Sequence, residues 1–176
     1  LVPSADPAHR LELWVPLLKG GKSDDLVRQL TEIGASELVC YVSTRSVARL
    51  DARKVAKRIA RWRVIAAEAT RQCGRHTLPH VRYSEGLPDI GPGVYLWEEG
   101  GASATACLRS SVEQGTLRVL VGPEGGLEVD EAAALNALGW SAASLGPRIL
   151  RAETAVLVAA TLALVALEDP HYAARL

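Results

Sequence analysis

The sequence has no methionine among its 176 residues, not even at position 1, which predicts that it is part of a longer chain. Cysteine is scarce too. Cys40, Cys73 and Cys107 lie far apart and form no C-x-x-C pair. Without an export signal, that odd, scattered set argues for a reducing cytoplasm and against a disulfide framework or a zinc site. The four histidines are equally dispersed, so no metal is expected. No stretch reads as a signal peptide. The uncharged apolar run Thr154–Leu167 is too short to span a bilayer and reads as a buried helix, so no membrane role is expected. Two ligand-binding signatures are also missing. No G-x-G-x-x-G with a following acid is present, and no glycine loop ends in Lys-Ser or Lys-Thr, which excludes a Rossmann oxidoreductase and a phosphate-loop enzyme.

What is present suits one compact α/β domain over residues 1–176, with 48% hydrophobic and 23% charged residues. Apolar runs at 11–17, 37–42, 94–97, 117–121 and 142–145 read as strands. Helical patterns fall at 23–33, 53–73, 129–138 and 152–168, with a weaker one at 103–112. This alternation, with strands as apolar as "RVLVG", predicts a mainly parallel sheet with helices on both faces. Residues 76–93, with three prolines and three glycines, read as a long connection.

The formal net charge is zero, but its parts are segregated. Residues 45–82 carry eleven Lys/Arg, Arg49 among them, against Asp51 and Glu68. Residues 83–140 carry nine acids against Arg109 and Arg118. On the helix at 53–73, Val55, Ile59, Trp62, Ala66 and Ala69 make one apolar stripe, and Arg53, Lys57 and Arg61 a basic row. Like charges four residues apart repel by a few tenths of a kcal/mol. A polyanion such as RNA would relieve that cost; a solvated face is the alternative. Glu68, Gln72 and Arg75 share a face at the helix end, either as a simple terminus or as a polar cluster aimed at a ligand.

Two strand–Gly-Pro–helix turns stand out, "LVGPEGGLEVDE" and "SLGPRILRAETA". Glu128, Asp130 and Glu131 open the helix after the first, favourable for the helix dipole but repulsive to a pyrophosphate, so a neutral or cationic nucleoside fits better. In the second, Ile149 and Leu150 offer apolar walls, Arg148 and Arg151 positive charge, and Glu153 opens the last helix. Either could be an ordinary βα turn; two after neighbouring strands could close on one ligand at the carboxyl edge of the sheet.

The stretches "LTEIGASELVCYVSTRSV", "RWRVIAAEATRQCGR", "LVGPEGG" and "LGPRILRAETA", in this order and within residues 10–168, resemble the RsmE family of SPOUT methyltransferases. The resemblance implies a SPOUT-type fold with a deep C-terminal trefoil knot and S-adenosylmethionine (SAM) as cofactor. It implies methylation of uridine N3 in 16S ribosomal RNA of the small subunit, and a homodimer packed partly through the last helix. It also implies a PUA-like RNA-binding domain ahead of this region, absent from the sequence.

Under that resemblance Leu96, Val121, Gly122, Glu124, Gly125, Leu145, Gly146, Ile149 and Leu150 are expected to line the adenosine pocket, and the loop after Val94–Trp97 to meet the two turns. Arg53, Lys57, Arg61, Gln72 and Arg75 are the candidate RNA contacts. Uridine N3 is protonated and needs a base, or cations that stabilise developing charge on O2, N3 and O4. Arg151 and Arg75 are the candidate cations, and Glu124 and Glu153 the candidate bases or cofactor anchors. The chain departs from the family pattern at Thr70, Arg71, Cys73 and Ala152. It also has Leu127-Glu128 for the usual Phe-Ser, expected to lose a serine N-cap worth about 1 kcal/mol. A ribose 2′-hydroxyl or tRNA methyltransferase and a non-catalytic RNA-binding module remain the alternatives.

Overall fold

The structure, a computed structural model, describes residues 9–46 and 51–168. Residues 47–50, which hold Val47 of the quoted stretch and Arg49 of the basic segment, lie outside the described residues. The chain order is β1 (Arg10–Pro16), α1 (Lys22–Ile33), β2 (Glu37–Tyr41), α2 (Ala52–Cys73), β3 (His80–Ser84) and β4 (Val94–Leu96). It continues with β5 (Ala102–Ser103), α3 (Ala104–Ser110), β6 (Thr116–Val121), α4 (Val129–Ala137), β7 (Ser141–Ser144) and α5 (Ala152–Leu167). The strands form one parallel sheet in the order β3-β2-β1-β6-β4-β7-β5. An α/β fold with a parallel sheet is what the alternation predicted.

The strands are apolar because both faces of the sheet are covered. Leu11, Leu13 and Val15 of β1 pack on one side with Leu26, Leu30, Trp62, Leu108 and Val156 from α1, α2, α3 and α5. Trp14 alternates to the other side, with Val39, Tyr41, Tyr95 and Leu120, where α4 contributes Ala132 and Leu135 and the next residue cluster Trp140. The cover is lopsided, four helices against one. Since the chain has no phenylalanine, Trp and Tyr supply the large rings, and each buried N–H or O–H then needs an acceptor. Trp62 Nε1 donates to Asp24 Oδ1 at 2.9 Å, and Tyr41 Oη donates to the Val121 carbonyl at 2.8 Å.

The stretch at 76–93 is not simply a connection. It contains β3, whose His80, Arg82 and Ser84 gave no apolar run to read. Its partners are ionic. Arg82 donates to Glu37 Oε1 at 2.5 Å and stacks 4.8 Å above the Trp14 ring. Glu37 also pairs with Arg10, and Glu12, its neighbour across β1 and β2, accepts from Trp14 Nε1 at 2.7 Å. Burial opposes ionisation of Glu37, but Arg82 and Arg10 together outweigh it and hold its carboxyl below the usual range. β5 was likewise not foreseen; two residues are too few to show a period.

A cleft at the carboxyl edge of the sheet

β6, β4 and β7 lie side by side and run the same way, with Leu96 level with Val121 and Ala143. Their carboxyl ends therefore release three loops along one edge, where open parallel sheets form ligand crevices. Between the loops is a cleft of about 740 Å³, reached also by Lys22 at the start of α1. The loop after β4 does meet the two Gly-Pro turns.

Eight of the nine residues expected for the adenosine pocket line this cleft: Leu96, Val121, Gly122, Glu124, Leu145, Gly146, Ile149 and Leu150. Gly125 is the exception. A Cβ there would lie 3.2 Å from Arg45 Cβ, so its α-carbon faces away from the cleft, and its carbonyl accepts from Arg45 Nη1 at 3.1 Å. Gly126 takes its place, at φ +71°, closing the turn with its N–H on the Pro123 carbonyl at 2.9 Å. In the second turn Gly146 sits at φ +107° with open space where a side chain would be, and its N–H donates to Ser144 Oγ at 3.2 Å. Ile149 is 90% exposed, an apolar side chain held at the cleft with nothing over it.

The lining combines apolar walls (Leu96, Val121, Leu150) with four carboxylates, Glu98, Glu99, Glu124 and Glu153. Glu98 and Glu99 were missed by sequence reasoning, although two acids and two glycines directly after a short strand were a signal. Such a rim attracts a cation and repels a polyphosphate. Arg148 and Arg151 stand at the same cleft; Arg151 acts electrostatically on Glu153 without a hydrogen bond to it. Glu153 bonds Lys22, and that contact, with its own backbone N–H, holds its carboxyl below the usual range.

The start of α4 corrects the expected loss of a cap. Glu131 Oε2 accepts from the Glu128 N–H at 2.8 Å, the return half of a capping box. The Glu128 carboxylate takes Arg45 with both oxygens, at 2.6 and 2.8 Å. Glu131 Oε1 further accepts from the Thr44 N–H at 2.8 Å. The acids thus tie the loop after β2 to the GPEGG turn.

The remaining candidates divide. Arg53, Lys57 and Gln72 project from α2 into solvent. Arg61 does not complete a free basic row, because Asp24 of α1 accepts from its Nε at 2.7 Å and draws Arg58 to 3.6 Å. Arg75 is also engaged elsewhere: its Nη1 donates to the carbonyls of Thr31 and Ala35 at 2.9 and 2.7 Å. It satisfies carbonyls at the end of α1, where a cation is favoured, and is not among the residues lining the cleft. Among the described residues no cluster of ligating side chains could hold a metal, and no helix is long and apolar enough to cross a membrane.

The family model for the RNA methyltransferase domain matches residues 5–164. The chain belongs to this family. Among the relatives of this RNA methyltransferase domain is ribosomal RNA small subunit methyltransferase E of Bacillus subtilis, 36% identical over 155 residues, which are 81% of this chain and 60% of that protein. Among solved structures, the enzyme of that name from Neisseria gonorrhoeae, bound to S-adenosyl methionine, is 28% identical with a TM-score of 0.76, over 90% of this chain and 67% of its own. A methyltransferase from Legionella pneumophila with bound cofactor SAM is 26% identical with a TM-score of 0.77, over 91% of this chain and 66% of its own. These neighbours are SPOUT-type methyltransferases. The chain spans about 60% of the length of the Bacillus subtilis relative.

Proposed function

We propose that the chain is the catalytic domain of a SAM-dependent methyltransferase acting on N3 of a uridine in 16S ribosomal RNA. The observation that carries this is the cleft itself: three loops from adjacent parallel strands, apolar walls, and carboxylates suited to a sulfonium cation. The relatives that bind SAM share this fold over nine-tenths of the chain.

When bound, the cofactor supplies an electrophilic methyl group on sulfur. The chain's part is to hold the uracil in line with that methyl and to manage the charge that appears as the N3 proton leaves. Arg151, at the N-cap of α5 and lining the cleft, is the first candidate to stabilise the developing charge on O2 and O4, with Arg148 beside it. Glu124, exposed at the cleft, is the candidate to take the proton. Arg75 would reach the substrate only by leaving the α1 carbonyls, so its role here is to fix the end of α2.

The same reading includes the knotted C-terminal part, a cytoplasmic homodimer, and RNA capture shared between α2 and a PUA-like domain ahead of this region. The test is transfer of labelled methyl from SAM to small ribosomal subunits, with the product nucleoside mapped by mass spectrometry. N3-methyluridine in 16S RNA is expected. Methyl on a ribose 2′-oxygen or on tRNA, or binding without transfer, would overturn the assignment.

A further inference from the structure

Lys22 stands where elementary electrostatics disfavours it. It is the first residue of α1, at the positive end of the helix dipole, on a glycine turn (Gly20-Gly21) with open space around it. Asp24 and Asp25 follow in the same turn, yet the ammonium points across to α5, where Nζ lies 2.9 Å from Glu153 Oε1. The pair bridges residues 131 apart in the chain. It also divides two spaces, since both residues line the main cleft and a smaller neighbouring cavity of about 370 Å³.

The other oxygen is the informative one. Glu153 Oε2 is buried and has no hydrogen-bond partner among the described residues. A carboxylate oxygen cut off from solvent without a donor is costly. It is a place where a donor from a bound molecule would be accommodated. Lys22 is engaged with Oε1, and the larger of the two spaces that Glu153 lines is the cleft. Resting on the cofactor reading above, the donors on offer are the ribose hydroxyls, the adenine amino group and the methionine ammonium, of which only the ammonium is charged and so forms the strongest bond with a carboxylate. The sulfonium has no proton to give, whereas the ammonium of the methionine part has three.

We propose that Lys22 is a positioning residue: its contact with Oε1 orients Glu153 so that Oε2 receives the ammonium group of the bound cofactor. Glu153 thereby becomes a cofactor anchor rather than the base for N3. The groups around it are of both signs: Lys22, Asp25 and Arg28 on α1, Arg148 and Arg151 before α5, Glu124 after β6, and Glu98 and Glu99 after β4. Lys22 contributes the largest stabilisation of the ionised form. Removing it lets the Glu153 carboxyl return toward the ordinary carboxylate range, so protonation adds to the loss only as pH falls below about 5.

The test is calorimetric binding of SAM and of 5′-methylthioadenosine, which keeps the adenosine and the sulfur but has no ammonium. Lys22→Met is expected to weaken SAM roughly tenfold, through the lost orientation of Glu153, and to leave 5′-methylthioadenosine unchanged. Lys22→Arg should restore binding. In a Glu153→Gln background, where the charge is already gone, Lys22→Met should add little. Equal losses for both ligands, no loss, or no rescue by arginine would overturn the role of Lys22 while leaving the cofactor site intact. Failure of the unaltered chain to bind either ligand would overturn the site reading itself.

Discussion

At the scale of single residues, Gly126 is held at φ +71°, and a Cβ there would lie 2.1 Å from Glu98 Oε1. Because Glu98 is exposed, its carboxylate can swing away; the backbone conformation is the part that cannot be relieved cheaply. Gly126→Ala is expected to lower stability by about 1 kcal/mol and to weaken SAM binding, through the displaced Glu98 and the strained turn. Thermal unfolding and calorimetry check the two effects separately. In the string "GPEGG" the last two glycines look alike, and only their dihedral angles and neighbours tell them apart. That is why the sequence reading places Gly125 at the pocket and passes over Gly126, whereas in the structure it is Gly126 that lines the cleft.

Glu37 makes a second residue-scale prediction. Its folded-state pKa is depressed, so its contribution to stability is present above the unfolded carboxylate pKa and is lost as pH falls through the folded value. Acid unfolding monitored by circular dichroism should therefore steepen below about pH 4.5, and Glu37→Gln, less stable at neutral pH, should flatten that limb. Nothing in a one-dimensional pattern announced this group. A carboxylate inside an apolar strand reads as noise until the arginines of two other strands arrive around it.

At the scale of elements, α2 has two basic rows with different duties. Arg58 and Arg61 bind it to Asp24 of α1, while Arg53 and Lys57 are directed to solvent. Arg53→Ala with Lys57→Ala is expected to weaken RNA binding and to reduce the slope of log affinity against log salt by roughly 1 to 2. Arg61→Ala should chiefly lower the unfolding temperature. An unchanged salt slope in the first variant would make this row a solvated face. The apolar stripe of α2 was readable from its spacing, but the split of its cations was not, because it depends on where α1 lies.

α5 poses the opposite problem. Thr154, Val158, Thr161 and Val165 form an exposed stripe with no charge, and Val165 is 55% exposed. With a homodimer as the proposed assembly, Val165→Glu should shift sedimentation toward monomer, with little effect on the fold because the side chain is not in the core. The terminal apolar run was legible as a buried helix, and its inward half is one: Val156, Ala159, Ala160 and Ala163 are fully buried.

At the scale of the whole molecule, the two halves of the cleft were legible as separate turns because each carries its own glycines, prolines and helix start. Their closing on one edge was expected from the repeated turn, and the third loop from the family resemblance, but the place of β4 between β6 and β7 is a matter of strand order that no local pattern records. Lys22 was invisible for the same reason: its partner is 131 residues away.

That strand order also bears on synthesis. β1 has β2 on one side, but its other neighbour, β6, begins only at Thr116. Both neighbours of β4 come later than β4 itself. A nascent chain emerging from the ribosome therefore carries two apolar strands with open hydrogen-bonding edges until β6 appears, and one edge of β4 stays open until β7 follows. Such edges are templates for wrong partners, and so distant a pairing closes slowly. For a protein proposed to modify ribosomes, the hazard falls during its own translation, when many identical half-made sheets sit side by side on one messenger.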